Sequence, residues 1–255
     1  MDETYEISFV ELFQFIRRGF LPALLAALLL ALGAFFISRN TAPVYQAKAT
    51  VLASSLASSD LNRFGTALAT APMMDVSAYQ AASLSFPVIE DAWRAMGVER
   101  PSALNVKEIR DETTVRTESD RISSLITLSV RNESRELATT RANELANALV
   151  RWDEQRATDY LQKIITALEG QINILEQEIL SLQATDDNNN EQIDARQVIL
   201  AQQQQQLLQA QTLKTSAIGQ LRILEPAMTP LVPVSPRPTL NAALAFMLGT
   251  FLTYG

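Results

Sequence analysis

The chain contains no cysteine and no histidine. Without cysteine it has no disulfide framework and no thiolate metal site, and without histidine it lacks the commonest general base and zinc ligand. Serine–histidine and cysteine–histidine nucleophile systems are therefore excluded. Carboxylate clusters such as Glu108, Asp111 and Glu112 are more typical of solvated helix ends than of an acid–base pair. We expect no catalytic residue, no metal and no cofactor, and hence a protein that is not an enzyme.

Acidic residues outnumber basic ones. The chain has 21 lysines and arginines and 28 aspartates and glutamates, which gives a net charge of −7. This balance argues against nucleic acid as a partner, since phosphate binding needs basic patches. The eight glycines are scattered and form no phosphate-binding loop of the G-x-x-x-x-G-K-[ST] type. The two tryptophans, Trp93 and Trp152, have the chemistry to stack on sugar rings, although packing in a core is the commoner role.

Two uncharged, apolar stretches lie near the ends of the chain. Residues 19–38 form a run of about 20 residues, which is long enough as a helix to cross a bilayer. Residues 239–255 begin a similar run, and we expect a second transmembrane helix that is cut short where the chain stops. A cleaved signal peptide is the alternative for the first run, but the polar, amphipathic residues 1–18 before it favour an uncleaved anchor. Arg17 and Arg18 weakly favour a cytoplasmic N-terminus.

The region between the two runs combines strand and helix patterns. Residues 44–54, 113–117 and 122–130 alternate as β-strands do, and residues 85–97 have the pattern of a helix that ends at a glycine. We predict an α/β base domain formed by residues 39–131 together with 221–230, in which Leu221–Met228 is a last strand that closes the sheet. The predicted fold class is an α+β membrane protein, in which two transmembrane helices flank this base domain and a long antiparallel helical hairpin.

The hairpin is predicted over residues 132–224, with a turn near 185–191 where aspartate and asparagine cluster. Apolar residues at steps of three and four predict a coiled-coil seam that closes the hairpin or joins copies of the chain. The seam residues are Leu161, Ile165, Leu168, Ile172, Leu175, Ile179 and Leu182. The glutamine run 202–206 is interpreted as a solvated helix face, or else as a source of amide hydrogen bonds between neighbouring subunits.

A proline-rich segment, residues 226–238, precedes the second apolar run. Prolines at every two to four residues forbid a helix and favour an extended, stiff spacer between the base domain and the membrane. The prolines of this motif are Pro226, Pro230, Pro233, Pro236 and Pro238.

These segments, in this order, resemble the bacterial polysaccharide co-polymerase or chain-length determinant family (Wzz-type). The resemblance is carried by EISFVELFQFIRRGF, VYQAKATVLAS, SFPVIEDAWRAMGV, ELATTRANELANALV and PVSPRPTLNAALAFMLGTFL. It implies a protein of the inner membrane with two spans, cytoplasmic termini and a periplasmic main domain. It also implies ring-like homo-oligomers that set the chain length of O-antigen, capsule or exopolysaccharide.

The same resemblance implies a separate membrane polymerase and a lipid-linked glycan as partners. One branch of the family carries a cytoplasmic tyrosine kinase, so a kinase partner or a C-terminal kinase extension is compatible with this sequence, although no Walker motif lies within it. The main alternative is a periplasmic adaptor (membrane-fusion-type) subunit of an export system, which also joins an anchor to a helical hairpin. An adaptor needs one span, so a genuine second span would distinguish the two.

Overall fold

The computed structural model describes residues 9–54, 74–119, 123–185, 190–215 and 220–254. Within these ranges the protein is rich in helix and contains one four-stranded sheet. In chain order the elements are α1 (Phe9–Asn40), β1 (Tyr45–Ser54), α2 (Val76–Ser83), α3 (Phe86–Ala95), α4 (Ala103–Glu112), β2 (Thr113–Ser119), β3 (Ser123–Asn132), α5 (Arg135–Thr185), α6 (Asn190–Thr215), β4 (Leu221–Glu225) and α7 (Pro238–Tyr254).

The chain divides into two compact units. The first contains the described parts of residues 1–46 and 230–255 together with residues 132–135, and the second contains those of 47–131 and 136–229. The four strands and the long helices α5 and α6 belong mainly to the second unit, whereas α1 and α7 form the first.

The sheet has the strand order β2–β3–β1–β4. Strands β2 and β3 pair antiparallel, as their alternation predicts, and β4 pairs antiparallel with β1. Residues Ala47, Ala49, Val51 and Ala53 of β1 are buried, in agreement with a strand that presents alternate side chains to a core. One face of the sheet therefore packs into the core.

The first half of α5 supplies much of the opposing core surface. Ala138, Ala142 and Leu145 are completely buried in the same cluster as Ile126 and Leu128 of β3. Small residues on the helix let its backbone approach the sheet, and the larger sheet residues fill the space. Helices α2 and α3 contribute to this core as well.

Two sequence interpretations need correction. Helix α4 was not predicted, although the capping box between Ser102 and Asn105 signals its start. The second helix of the hairpin was predicted to run to Leu224, but residues from Leu221 onward form β4, in agreement with the last strand predicted over Leu221–Met228. The reason is a long-range one, because β4 pairs with the edge of β1, and such pairing overrides a weak local helix pattern.

A fully buried carboxylate, that of Asp153, connects α5 to the start of β4. Its Oδ2 accepts the backbone N–H groups of Gln220 at 2.6 Å and Leu221 at 3.1 Å. Its Oδ1 accepts the Tyr79 hydroxyl at 3.1 Å and Arg156 Nη2 at 2.8 Å. Burial and the neighbouring Asp153 charge raise the pKa of Tyr79, so its hydroxyl stays protonated and available as a donor.

In the first unit, α1 and α7 pack antiparallel at close range. Ala23 and Ala27 of α1 are buried, and a Cβ atom on Gly249 of α7 would lie 2.7 Å from Ala27 Cα. Asn241 Nδ2 donates a hydrogen bond to Ser38 Oγ at 2.8 Å. Small residues and an interhelical hydrogen bond are the features that hold apolar helices together where water is absent.

Among the described residues, one helix meets the length and hydropathy expected of a membrane span, over Ala23–Asn40 of α1. Helix α7 is apolar over Pro238–Leu252 but shorter. Length and composition therefore support a membrane span in α1 and do not establish one in α7.

We predict that Asp153→Ala lowers the free energy of unfolding by about 3–5 kcal/mol, because it leaves buried donors and a guanidinium without their acceptor. Urea unfolding of the full chain in detergent, followed by tryptophan fluorescence, measures this change. Glu154→Ala, an exposed neighbour on the same helix, is the matched control and should stay within about 0.5 kcal/mol of wild type. Equal stability of the two variants would show that the Asp153 contacts contribute little.

We also predict that a short bifunctional thiol reagent joins the cysteines of the pair Ser38→Cys and Asn241→Cys within one chain, because Asn241 Nδ2 and Ser38 Oγ are in contact. The chain has no native cysteine, so the wild type has no thiol that could be cross-linked. Adding Gly249→Leu should reduce the cross-linked fraction, because the new side chain would overlap the backbone of Ala27.

Gly33→Leu is the control for this experiment, since a Cβ atom at Gly33 meets nothing within 4 Å. If both leucine variants reduce cross-linking to the same extent, the close approach at Gly249 does not hold the helices together.

Candidate functional site: the helical hairpin

The second half of α5 and the whole of α6 form an antiparallel hairpin within the second unit. Polar contacts between the helices occur at successive levels, each nearer the turn than the last. They join Gln162 to Lys214, Gln171 to Gln203, and Glu178 to Arg196. This regular progression fixes the register of one helix against the other.

The predicted seam residues lie on the inward side of α5. Five of them are buried and two, Leu175 and Leu182, are half-buried. The buried five are Leu161, Ile165, Leu168, Ile172 and Ile179. Ile165 and Leu168 share a cluster with Ala210 of α6, so this part of the seam packs inside one chain. A role of the seam in oligomerisation stays a prediction.

Other large apolar residues of the hairpin are exposed and were not among the predicted functional residues. They fall outside the steps of three and four that mark the seam, which is the signal that identifies them as outward-facing. They are Ile174 and Leu180 on α5 and Val198 and Leu208 on α6, each more than half exposed. Such residues on a long helical surface are available for contacts with another molecule.

The glutamine run has a mixed environment. Gln203 is half-buried and its Nε2 donates to Gln171 Oε1 at 3.3 Å across the hairpin. Gln202, Gln204 and Gln205 are exposed. One amide of the run thus serves the hairpin itself, and amide bonds between subunits stay a prediction.

The proline-rich segment contains no helix before Pro238, which is the first residue of α7. Pro226 and Pro233 are exposed, and Pro230, Pro236 and Pro238 are half-buried. The segment avoids helix as expected from its prolines. Its role as a stiff spacer stays a prediction.

Backbone contacts hold two parts of this segment. In the second unit, the Asn143 side chain donates to Ala227 O at 3.1 Å and accepts from Ala227 N at 2.7 Å. In the first unit, Val44 N donates to Ser235 O, and Val234 N donates to Val44 O, both at 2.8 Å. The segment is therefore held by hydrogen bonds as well as by its proline content.

The carboxylates at the end of α4 are engaged in ion pairs. Glu108 and Glu112 both accept hydrogen bonds from the guanidinium of Arg141, a nearly buried residue of α5 that also lies over the Trp93 ring. Burial alone would lower the pKa of Arg141, but the bonds to Glu112 and Glu108 outweigh it and raise that pKa. Glu108 is exposed, as expected of a solvated helix end, and Glu112 is half-buried. Their pairing with Arg141 was not predicted, because Arg141 lies too far along the chain for a local pattern to reveal it.

The described residues include no group of three or more aspartates or glutamates placed to hold a metal ion. Trp93 is packed in the core and its Nε1 donates to Asn105 O at 3.0 Å, whereas Trp152 is half-buried.

Two family profiles match this chain. Residues 5–89 match the family described as "Chain length determinant protein". Residues 174–255 match "G-rich domain on putative tyrosine kinase". The first match includes α1, β1 and α2. The second includes the end of α5 together with α6, β4 and α7.

Curated relatives include the tyrosine-protein kinase etk of Escherichia coli (strain K12) and that of Escherichia coli O157:H7. Each is 50% identical over 42 residues, which is 16% of this chain. The match spans 6% of the length of each kinase.

Among solved structures, a full-length bacterial polysaccharide co-polymerase is similar at 14% identity, covering 97% of this chain and 96% of that one with a TM-score of 0.44. A fragment of the WzzB polysaccharide co-polymerase from Salmonella Typhimurium is similar at 17% identity, covering 76% of this chain and 100% of that one with a TM-score of 0.38. Residues 5–89 are therefore similar to the chain length determinant family, and residues 174–255 to the G-rich domain on putative tyrosine kinases.

Proposed function

We propose that this chain regulates the chain length of a bacterial surface polysaccharide, such as O-antigen, capsule or exopolysaccharide. The observation that carries the proposal is the match of residues 5–89 to the chain length determinant family. The chain acts as a scaffold without chemistry of its own, and a separate membrane polymerase extends the lipid-linked glycan.

In this proposal α1 and α7 are the two spans of an inner-membrane protein. Helix α1 has the length and hydropathy of a span, and α7 packs antiparallel to it through Gly249 and Ala27. An apolar helix that runs back along a membrane span is best satisfied in the same hydrocarbon layer. Both ends of the chain then lie on the cytoplasmic side, and the residues between the spans face the periplasm.

The hairpin provides the scaffold surface. The part of its seam around Ile165 and Leu168 packs within the chain. Its exposed apolar residues, among them Ile174 and Leu208, contact neighbouring copies in a ring. A ring of hairpins presents a repeated surface to the polymerase and to the growing glycan. The geometry of that assembly biases when elongation stops.

A cytoplasmic tyrosine kinase is proposed as a further partner, or as a domain that continues from α7. The support is the match of residues 174–255 to a domain found on tyrosine kinases and the short match to etk. Such a kinase would act on the cytoplasmic side, where the proposed topology places the end of α7.

The two-span topology predicts the location of reporter fusions. A reporter fused after residue 255 should lie in the cytoplasm. Green fluorescent protein fused there should therefore be fluorescent, and alkaline phosphatase fused there should be inactive. A fusion after Glu225, which lacks α7, should show active phosphatase in the periplasm. Active phosphatase after residue 255 would leave one span, and would favour an export adaptor over a co-polymerase.

The scaffold mechanism predicts that Leu168→Asp combined with Leu175→Asp changes the length distribution of the polysaccharide without abolishing polymer. Two carboxylates in the seam disrupt the packing that closes the hairpin. The distribution is read from the banding of surface polysaccharide on a gel, at matched protein levels.

Ala167→Asp combined with Asn173→Asp is the matched control, because both positions are exposed on the same helix and the added charge is identical. The control should keep the wild-type banding. Unchanged banding for the seam variant at a normal protein level would contradict the scaffold mechanism.

A further inference from the structure

Near the point where α1 ends and α7 begins, the chain carries an apolar surface that the scaffold mechanism leaves unused. Leu231 and Val232 of the proline-rich segment are 86% and 72% exposed. They belong to the first unit, together with the end of α1 and the whole of α7. Adjacent large apolar side chains with this exposure are typical of a surface that contacts a membrane or another protein.

Hydrogen bonds keep this surface close to the end of α1. Val44, four residues beyond the last residue of that helix, accepts from Val234 N and donates to Ser235 O, both at 2.8 Å. Leu231 and Val232 lie within three residues of this attachment, which is about 10 Å of extended chain. They are therefore held near the level at which α1 ends.

Two arginines lie at the same end of the helix pair. Arg39 is in the last turn of α1, Arg237 directly precedes α7, and both are exposed. The hydrogen bond from Asn241 to Ser38 places these two helix ends level with each other. Within the described part of the chain, neither arginine pairs with a carboxylate.

The sequence around these arginines offers them no local anion. Residues 39–46 and 230–255 contain no aspartate and no glutamate. Two uncompensated cations beside exposed apolar side chains match the boundary of a bilayer, where phosphates lie directly above hydrocarbon.

The apolar surface is continuous with that of the span. Phe36 and Ile37 of α1 are each more than half exposed and come directly before the end of the helix. In a membrane span, exposed apolar side chains face the hydrocarbon. Among possible occupants of the surface at Leu231 and Val232, a membrane supplies both the hydrocarbon and the anions.

Membrane orientation does not account for these two arginines. Membrane proteins carry an excess of lysine and arginine on the cytoplasmic side. In the proposed topology Arg17 and Arg18 lie on that side, whereas Arg39 and Arg237 lie on the opposite side and weaken the asymmetry. A local partner explains their position, and the anion present at that level is the phosphate of a lipid headgroup.

We propose that residues 230–238 form a wedge that binds acidic phospholipids in the outer leaflet of the membrane. Leu231 and Val232 enter the boundary between headgroups and acyl chains, and Arg39 and Arg237 bind headgroup phosphates. This inference rests on the proposed function in one respect, because it takes α1 and α7 as membrane spans. The segment then lies on the membrane and attaches the scaffold to its surface.

A single-cysteine reporter measures the depth of the wedge. The chain has no cysteine, so Ser235→Cys, a near-isosteric change at an exposed position three residues from Val232, carries one fluorophore. The full chain is placed in nanodiscs of phosphatidylcholine and phosphatidylglycerol. Lipid with a nitroxide near the headgroup end of its acyl chain should quench this fluorophore, and aqueous iodide should not. Ser181→Cys, an exposed serine of the hairpin, is the matched control and should show the opposite pattern.

The apolar part of the wedge is tested by Leu231→Ser combined with Val232→Ser in the Ser235→Cys chain. Quenching by nitroxide lipid should fall about threefold or more, because the segment loses the side chains that hold it in the boundary. Iodide should then quench the fluorophore. Both changes are at exposed positions, and an unchanged circular dichroism spectrum confirms that the fold is kept.

The cationic part is tested by headgroup preference. Nitroxide phosphatidylglycerol should quench the Ser235→Cys fluorophore at least about threefold more than nitroxide phosphatidylcholine at the same mole fraction. Arg39→Gln combined with Arg237→Gln should abolish this preference. Arg94→Gln combined with Arg100→Gln removes the same charge at exposed positions of the second unit and should keep it.

The inference is overturned if iodide but not nitroxide lipid quenches the fluorophore, if the two headgroups quench equally, or if the serine variant behaves like the wild type. A fluorophore shielded from both quenchers would show that a second copy of the chain covers this surface, which also overturns it. Failure of the proposed function gives a different result. If the fusion after residue 255 is cytoplasmic but the wedge is outside the lipid, the wedge inference alone is wrong, whereas active phosphatase after residue 255 contradicts the two-span topology itself.

Discussion

The arrangement of the second unit depends on the buried carboxylate of Asp153. The chain leaves the sheet along α5, turns, and returns along α6 to begin β4. Asp153 holds that return by accepting the backbone N–H groups of Gln220 and Leu221, while Tyr79 ties the same carboxylate to α2. A buried charge is tolerated because its oxygens are satisfied by these donors and by Arg156. The hairpin therefore starts and ends at one fixed point beside the sheet.

Because α5 and α6 are both fixed at one end, the apolar seam determines how they pack over the rest of their length. The seam and the polar contacts between α5 and α6 hold a single register, and the apolar residues that lie outside the seam remain at the surface. In the proposed function this rigidity matters more than any reactive group, because a scaffold acts through the placement of its surfaces.

Local patterns in the sequence predicted the elements whose structure is local. Period-two alternation identified β1, β2 and β3, and the three-and-four steps identified the inward residues of α5. The pairing of Arg141 with Glu108 and Glu112, and the contacts of Asp153, join residues far apart in the chain, so one sequence gives no signal for them. Residues 221–224 fitted both the end of the second hairpin helix and a last strand, and pairing with β1 makes them a strand.

The central claim is that this chain sets polysaccharide length and does not make polysaccharide. The most direct test deletes its gene from the bacterium that carries it and compares the length distribution of surface polysaccharide before and after complementation. The account predicts that polymer persists in the deletion strain with its preferred length lost, and that the wild-type chain restores that length. A deletion strain whose distribution is unchanged would contradict the account, as would one that makes no polymer at all.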